Sequence, residues 1–297
     1  MYSLVTACMN REPHLRASLE RWLVLPKIAE IVIVDWGNRE PLLELRHIDP
    51  RIRIVRVENE PRWILSYAYN AGIERATQPD VFKCDADCQP TPAALECAPG
   101  SAHFFAGYWK SGAAYGKPSV NGQCIFSKAQ FEAVNGYSEL IRTYGRDDED
   151  FYDRLIAAGF ERRELHPSLL SFIEHSNASR VANQFEMKPG ASFEDVILSN
   201  TNYNEIRNYC IGKLIPWGPQ SRRADFLKID SGDRWEVLRR NQAAELSVPP
   251  DVAGAARLFS LRHLAGRILN ISPAEQQRLD EKGCLSLLAK HIKPPGR

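Results

Sequence analysis

The sequence predicts an α/β protein built on an open, twisted, mainly parallel sheet with helices on both faces. Short β-branched or apolar segments alternate with helical patterns over the first 90 residues, and this alternation is typical of parallel, doubly wound sheets. One of these segments, Glu30–Asp35, is strongly β-branched and ends in an acid. Another runs from Val81 into two aspartates, at the strand end where open α/β sheets bind ligands. Their connections are expected to be right-handed.

The first third of the chain carries most of this alternation. We expect strands at 2–7, 30–35, 52–57 and 81–85, and helices at 10–26 and 66–76. Asn10 is a candidate cap of the first helix, and Pro13 lies in its first turn. Leucines and a tryptophan recur there at helical spacing, and Pro26 marks the end.

The pattern changes after Pro90. Strands are expected at 102–108, 122–126 and 169–174, and helices at 127–134 and 146–158. Ser127 is the expected cap of the first of these helices. The glycine- and serine-rich stretch 110–122 is predicted to be a mobile loop, and 177–218 to be polar and less regular. From Ser221 onward the chain is predicted to be helical and highly charged. We therefore expect three parts: 1–100, 101–218 and a helical extension at 219–297.

Composition and charge argue against several classes of protein and of partner. The chain has 297 residues and a formal net charge of +1, so no global field favours nucleic acid as a partner. No apolar run approaches the roughly 20 residues needed to cross a bilayer. The first residues resemble no export signal, which predicts a cytoplasmic protein. Seven scattered cysteines then indicate reduced thiols, and no CxxC pair completes a zinc site.

The paired aspartates at the end of the fourth predicted strand are the first candidate site. Asp85 and Asp87 are separated by one residue and would emerge together at the carboxyl edge of the sheet. Two carboxylates this close suit Mg²⁺ or Mn²⁺ bound with phosphate oxygens. A solvated acidic turn explains the same pattern, so from these residues alone both interpretations are open.

Further polar residues are predicted at the same edge. Asp35 ends the second strand, the acidic cluster Asp147–Asp150 opens a helix, and His175 follows the last strand. The helix dipole favours an acidic first turn by itself. More acids beside Asp85 and Asp87 would repel each other unless a cation lay among them. The residues therefore favour a metal–diphosphate site while leaving structural explanations open for each one.

Three motifs resemble a known family. The chain is similar to glycosyltransferases of the GT-A fold and of the family 2 kind, with a second half similar to the galactosyltransferase and chondroitin-polymerase group. The resemblance covers about residues 1–180, and its third motif is the most specific. The motifs are Val5-Thr-Ala-Cys-Met-Asn-Arg11 with Val34-Asp35; Lys83-Cys-Asp85-Ala-Asp87 with Asn70-Ala-Gly72 upstream; and Asn121-Gly-Gln-Cys-Ile-Phe-Ser127 with Val134-Asn-Gly-Tyr137 and Gly145-Arg-Asp-Asp-Glu-Asp-Phe151.

The resemblance implies roles for individual residues on the donor side. Residues 1–100 would bind the nucleotide sugar, and Asp35 would accept a hydrogen bond from a uracil ring. Asp87, with Asp85 nearby, and His175 would hold Mn²⁺, or Mg²⁺, on the diphosphate. The remaining residues expected to bind the donor are Thr6, Arg11, Arg62, Asn70 and Lys83.

Residues 101–218 would bind the acceptor and carry the base. Asp148 matches the second acid of the family's Gly-x-Glu-Asp-x-Asp signature, which implies the catalytic base. Asp147 stands where that signature has Glu, and Tyr144 where the family has Trp, so the identity of the acceptor is open. Trp109 and Gly122 complete the expected acceptor residues. One base and no obvious second nucleophile indicate a single displacement with inversion. The resemblance implies a UDP-sugar donor and a hydroxyl of a glycan or glycolipid as acceptor, as in polysaccharide biosynthesis.

The C-terminal segment mixes arginine clusters with apolar residues. A basic amphipathic helix can lie on an anionic membrane surface, which would place the protein at the inner face of the membrane. The alternative is a helical appendage packed on the catalytic domain or on a second subunit, as in a homodimer.

Two other functions remain open. A GT-A-like domain can bind a nucleotide sugar or glycan without turnover. A nucleotidyltransferase also uses acids and Mg²⁺ at a sheet edge, but a glycine-rich loop usually follows its first strand. Thr6-Ala-Cys-Met-Asn-Arg11 contains no glycine, which counts against that class.

Overall fold

The computed structural model describes residues 1–174, 192–244 and 246–292. The strands are β1 (Tyr2–Cys8), β2 (Ile28–Trp36), β3 (Ile52–Glu58), β4 (Asp80–Lys83), β5 (Cys88–Pro90), β6 (His103–Ala106), β7 (Cys124–Ser127), β8 (Glu161–Glu164), β9 (Leu170–Phe172), β10 (Phe226–Gly232) and β11 (Trp235–Arg240). The α-helices are α1 (Glu12–Leu23), α2 (Leu65–Arg75), α3 (Trp109–Ala114), α4 (Lys128–Ala133), α5 (Asp147–Ala157), α6 (Phe193–Leu198), α7 (Thr201–Leu214), α8 (Pro250–Leu269), α9 (Pro273–Arg278) and α10 (Glu281–Ala289).

A nine-stranded sheet in the order β10, β11, β3, β2, β1, β4, β7, β6, β8 forms the centre of the molecule. The neighbours from β11 to β4 are all parallel, and β6 pairs parallel with β8. The pairs of β10 with β11, β4 with β7 and β6 with β7 are antiparallel. The predicted α/β class with a mainly parallel sheet is confirmed.

Both faces of the central strands are covered. Along β2, Val32 and Val34 pack into the core on one face, and Ile31 and Ile33 into the core on the other. All four are fully buried, as expected for parallel strands between helical layers. Helix α2 lies directly on the sheet, because Gly72 has no side chain: a Cβ there would lie 2.6 Å from a methyl group of Val34.

The boundaries of most predicted elements agree with the structure to within a few residues. Helix α4 begins as predicted, with Ser127 and Gln130 forming a reciprocal capping box. Helix α1 differs slightly: Arg11 is its N-cap residue, and Asn10 has a left-handed backbone, with φ of 54°. All seven cysteines are free thiols. None of the described helices is long and apolar enough to span a bilayer.

Three expectations were wrong. The stretch predicted as a loop at 110–122 forms α3 and a 3-10 helix at Pro118–Gly122. The part of 177–218 that is described contains α6 and α7, both capped by polar side chains. The segment from Ser221 first forms the hairpin of β10 and β11, and only then the helices α8 to α10. Strand β11 forms by pairing parallel with β3. The sequence pattern did not predict this strand, because its partner lies far away in the sequence.

Strand β9 does not join the main sheet. It pairs antiparallel with β5, which begins one residue after Asp87. The amide of Ile173 donates to the carbonyl of Asp87 at 2.9 Å, so the end of β9 lies beside the paired aspartates. His175, the expected metal ligand, lies outside the described residues.

Candidate active site

A cleft of about 680 Å³ opens at the carboxyl edge of the sheet. The ends of β1 and β4 form its floor, and the turn before β7 and the start of α5 form one wall. Such an edge is where open α/β sheets place their ligands. The residues lining the cleft are Ala7, Cys8, Met9, Arg11, Trp63, Leu65, Tyr69, Asp85, Ala86, Asp87, Trp109, Ser119, Asn121, Gly122, Tyr144, Gly145, Arg146, Asp147, Asp148, Glu149, Glu205 and Arg267.

Lys83, at the end of β4, joins the two acidic parts of this site. Its side chain is fully buried, and its Nζ lies 2.9 Å from Asp85 Oδ1 and 3.2 Å from Asp148 Oδ1. The same ammonium donates to the Gly122 carbonyl at 2.5 Å and lies over the Tyr69 ring. Burial alone would lower the pKa of Lys83, but the charges of Asp148 and Asp85 raise it well above its usual value. Lys83 is therefore a fixed positive charge between the two carboxylates.

Asp85 is held by hydrogen bonds on both oxygens. Besides the contact with Lys83, Oδ1 accepts from the Tyr69 hydroxyl at 2.9 Å, and Oδ2 accepts from Gln123 Nε2 at 2.7 Å. Burial works against ionisation, but Lys83 and these hydrogen bonds outweigh it and lower the pKa of Asp85. A Cβ at residue 122 would lie 2.7 Å from Asp85 Oδ2, so Gly122 provides room for this carboxylate.

Asp148 has one bound and one open oxygen. Its Oδ1 accepts from the Tyr137 hydroxyl at 3.2 Å and faces Lys83, whereas no described residue donates to Oδ2. Burial raises the pKa of Asp148 to about 6, against the opposing charge of Lys83. Its neighbour Asp147 has a pKa raised well above the usual value by burial and by the charges of Asp148 and Glu149. A carboxylate with a pKa near neutrality is suited to proton transfer.

Asp87 presents a carboxylate to the cleft beside Arg11. The Arg11 guanidinium lies 3.8 Å from Asp87 Oδ2. Asp85 and Asp87 both line the cleft, and both stay predicted ligands for a cation. No group of three or more His, Cys, Asp and Glu ligands occurs in the part of the chain that is described. One or two carboxylates nevertheless suit Mg²⁺ or Mn²⁺, which take their other ligands from phosphate and water.

A loop before α5 is clamped from the C-terminal side. Asn208 on α7 is fully buried, and its Nδ2 donates to the carbonyls of Thr143, Tyr144 and Gly145 at 3.0, 3.2 and 2.8 Å. This loop carries Tyr144 into the cleft and leads directly into the acidic turn. The C-terminal part of the chain therefore determines where these acids lie.

The structure brings most of the predicted site residues together. Nine line the cleft or contact its acids, and they come from five different segments of the chain. They are Arg11, Lys83, Asp85, Asp87, Trp109, Gly122, Tyr144, Asp147 and Asp148, with Lys83 lying behind the surface. Their individual roles stay predictions.

Four predicted donor residues are not brought to the cleft. Thr6 is fully buried, and its neighbours Ala7 and Cys8 line the cleft instead. Arg62 is exposed outside the cleft. Asn70 is buried, and its amide nitrogen donates to the Tyr137 carbonyl at 2.9 Å and to Glu139 at 2.8 Å. The contacts of Asn70 indicate support of the fold, whereas the roles of Thr6 and Arg62 stay predictions.

Asp35 is the fourth of these residues. Its Oδ2 accepts from Arg56 at 2.7 Å and from the Leu42 amide at 2.9 Å, and its Oδ1 accepts from Asn38 at 2.7 Å. The residue is fully buried and does not line the cleft. Oδ1 can accept one more hydrogen bond, but the carboxylate is fully buried, so a uracil ring could contact it only after the covering residues moved aside.

Sequence reasoning missed several residues of the cleft. Trp63 and Tyr69 belong to the segment around the start of α2, which was expected only to form a helix. Glu205 and Arg267 come from α7 and α8, beyond the reach of the family resemblance. Asn208 had no signal at all, because its role depends on a loop more than 60 residues earlier in the chain.

Two family models match the sequence. The model of glycosyl transferase family 2 matches residues 3–98, and the model of the N-terminal domain of galactosyltransferase matches residues 102–178. Together they span more than half of the chain. No curated protein sequence matches it.

Solved structures share the fold at low sequence identity. The catalytic domain of Drosophila beta1,4galactosyltransferase 7, in complex with xylobiose, superposes with a TM-score of 0.50 at 13% identity. That match covers 86% of this chain and 98% of the fly domain. A mannosyltransferase from Pyrobaculum calidifontis, in complex with GDP-Man and Mn²⁺, also gives 0.50 at 13% identity and covers 97% of this chain and 78% of its own.

The sheet, the cleft and these matches define an enzyme of the GT-A glycosyltransferase class. Within that class, the chain is a family 2-like glycosyltransferase with a second half of the galactosyltransferase type.

Proposed function

We propose that the protein transfers a sugar from a UDP-sugar to a hydroxyl of a glycan or glycolipid acceptor, with inversion at the anomeric carbon. The observation that carries this proposal is Asp148: a buried carboxylate with one open oxygen and a pKa of about 6, in the same cleft as Asp85 and Asp87. A base in that state can accept a proton from a hydroxyl at neutral pH.

Asp148 acts as the general base. The hydroxyl of the acceptor donates to Oδ2 while Lys83 and Tyr137 hold Oδ1 in place. As the oxygen attacks the anomeric carbon, its proton passes to Asp148, and the bond to the nucleotide diphosphate breaks. The transition state is oxocarbenium-like, as in other glycosyl transfers.

The contacts of Asp85 support inversion. A double displacement requires a nucleophile on the opposite face of the sugar ring from the acceptor. Asp85 is engaged on both oxygens by Lys83, Tyr69 and Gln123, which makes it a poor nucleophile. A single displacement promoted by Asp148 is the simpler chemistry for this cleft.

The donor diphosphate would lie on the floor of the cleft, near Arg11 and Asp87. Asp87, with Asp85 beside it, would hold Mn²⁺ or Mg²⁺ there. The cation, when bound, neutralises charge that develops on the leaving diphosphate. The mannosyltransferase of similar fold contains Mn²⁺ with its nucleotide sugar, which supports a metal at this edge. The nucleotide sugar in that structure is GDP-Man, so the nucleobase of the donor must be measured for this chain.

Ligand-dependent thermal stability tests the donor. We expect the melting temperature to rise with one UDP-sugar in the presence of Mn²⁺, and to rise less with GDP- and dTDP-sugars, because stabilisation grows with the ratio of ligand to Kd. Asp87→Asn should remove the Mn²⁺-dependent part of the shift. Asp80→Asn, at the opposite end of the same strand, is the matched control and should retain it.

Product analysis tests the reaction. With the stabilising donor and an acceptor, NMR of the first product should show an anomeric configuration opposite to that of the donor. Retention would contradict the single displacement. Binding of the donor without release of UDP under any acceptor condition would favour the nucleotide-sugar-binding alternative. If no nucleotide sugar raises the melting temperature, the whole proposal is contradicted.

A further inference from the structure

The C-terminal extension forms part of the cleft. Glu205 on α7 and Arg267 in the last turn of α8 both line it, although neither lies in the segments matched by the family models. Helix α8 is fixed on α7 by an apolar cluster that includes Tyr203, Leu261 and Leu264, all buried. Arg267 is therefore presented by a packed element.

A second arginine, Arg146, is presented by the clamped loop before α5. Its backbone is left-handed, with φ of 69°, which is uncommon for a residue that is not glycine. Strained conformations of this kind concentrate at functional sites. Gly145 before it has φ of 93°, and a Cβ there would lie 2.5 Å from Glu205 Cγ, so this loop lies directly against α7.

The two arginines have many unused donors. Each guanidinium carries five N–H groups. Arg267 Nη1 donates to Asn202 at 2.6 Å, and the Arg146 guanidinium lies 5.4 Å from the centre of the Tyr209 ring. Both side chains are exposed at the cleft. Within residues 1–174, 192–244 and 246–292, neither guanidinium has a carboxylate oxygen within 4.0 Å.

The acids nearby do not neutralise these donors directly. Glu205 interacts electrostatically with both arginines but lies beyond ion-pair distance of each, and it is half-buried. Glu149 is engaged by Asn121 Nδ2 at 3.0 Å. Both guanidinium groups belong to residues that line one cleft, and both act electrostatically on Glu205. A guanidinium with free donors matches the planar oxygens of a carboxylate or phosphate.

We propose that Arg146 and Arg267 bind an acidic group of the acceptor, a carboxylate or a phosphate, so that the C-terminal extension selects acidic acceptors. This inference rests on the proposed transferase function, because it assigns this side of the cleft to the acceptor. Arg146 lies between Tyr144 and Asp147, and the family resemblance assigns both of these residues to the acceptor side.

Matched pairs of probes test the inference by calorimetry on the full chain with UDP and Mn²⁺. One pair is p-nitrophenyl β-D-glucuronide and p-nitrophenyl β-D-glucoside, which differ only in the acidic group. The other is glucose 6-phosphate and glucose. We expect the acidic member of one pair to bind about tenfold tighter, and the preference to fall as salt rises. The pair that shows the preference distinguishes a carboxylate from a phosphate.

Arg146→Gln and Arg267→Gln should each reduce this preference at least threefold, and together they should abolish it. Arg222→Gln, an exposed arginine outside the cleft, is the matched control and should leave it unchanged. All four variants, including the double variant, should retain the stabilisation by UDP and Mn²⁺, which would show that the donor side is intact.

Equal affinity for acidic and neutral probes overturns the inference, whether both bind or neither does. A preference that survives in the double variant also overturns it. If UDP and Mn²⁺ do not stabilise the unsubstituted protein, the proposed function is contradicted instead. The two failures are therefore distinguishable.

Discussion

The ionised carboxylate of Asp148 is needed for the proposed reaction but lowers the stability of the folded protein. Its carboxylate is buried beside Asp147 and Glu149, and Lys83 compensates for only part of this. A carboxyl whose pKa is higher in the folded than in the unfolded state binds its proton more tightly when folded. Ionised Asp148 therefore destabilises the fold above pH 6 and serves the reaction in the same pH range.

Asp148→Asn should separate these two effects. The amide keeps the shape of the side chain but removes the base, so we expect kcat to fall by about 10²–10⁴-fold. Without ligands at pH 7, the same substitution should raise the free energy of unfolding by on the order of 2 kcal/mol. Steady-state kinetics and denaturant unfolding measure the two quantities. Near-normal transfer would exclude Asp148 as the base.

The pKa of Asp148 also sets an acidic limit on activity. The base must be ionised to accept a proton, so kcat/KM should fall as the pH drops through about 6. Over the same drop in pH, the contribution of Asp148 to the stability of the protein without ligands should rise, because protonation removes the buried charge. A pH–rate profile between 5 and 8 measures the limit. A profile that stays flat down to pH 5 would contradict the assignment.

Gly122 tests how rigidly Asp85 is held. Gly122→Ala places a methyl group 2.7 Å from Asp85 Oδ2, and three hydrogen-bonding partners prevent that carboxylate from moving aside. We expect overpacking to cost about 1–3 kcal/mol of stability and to raise the donor KM. The control is Gly254→Ala on α8, where a methyl group meets open space and should stabilise the helix slightly. Equal donor KM in both variants would contradict a role for this glycine.

At the scale of single elements, α7 determines the geometry of the acidic turn. Its Asn208 side chain donates to the Tyr144 carbonyl and to the carbonyls on either side of it. A single buried amide therefore helps to fix the backbone of this loop. Arg146 and the first turn of α5 come directly after this loop in the chain.

Asn208→Ala should lower kcat/KM at least tenfold, because loosening the loop misplaces the base and the acceptor residues. The matched control is Asn204→Ala on the same helix. Asn204 is also buried, but its amide donates to the carbonyls of Leu198 and Asn200, away from the cleft. Both variants should lose stability, and only Asn208→Ala should lose activity under conditions in which both are folded. An equal loss of activity would indicate a general effect of destabilisation.

At the scale of the whole molecule, the C-terminal third is not an appendage. The hairpin of β10 and β11 extends the main sheet beside β3, and Leu238 is completely buried in the main core. Helices α7 and α8 then return to the cleft. The predicted boundary at 218/219 therefore does not mark where the sheet ends.

Two leucines of the hairpin test this integration. Leu238→Ala should cost about 2–5 kcal/mol of unfolding free energy, because it leaves a cavity in the main core. Leu227→Ala, on the exposed strand β10, should change it by less than about 0.5 kcal/mol. Denaturant unfolding compares them directly. A small effect of Leu238→Ala would mean that the hairpin folds independently of the sheet.

Local patterns determined much of this protein. The strands of the first half, the cap at Ser127 and the acidic helix start were predictable because each depends on neighbouring residues and on burial of β-branched side chains. The placement of Asp85 and Asp87 at the carboxyl edge followed from the rule that parallel strands end on the same side. Asp147 and Asp148 open a helix, and the family resemblance implied their place in the same site.

Only the tertiary structure decided the rest. The pairing of β11 with β3, the clamp of Asn208 on a distant loop, and the presence of Arg267 in the cleft all join residues far apart in the sequence. Hydrogen bonds and burial at such distances depend on how the elements pack, and neither periodicity nor capping signals contain that information. The sequence by itself therefore determined the fold class and the chemistry of the edge, whereas packing of the C-terminal helices decided the shape of the acceptor side.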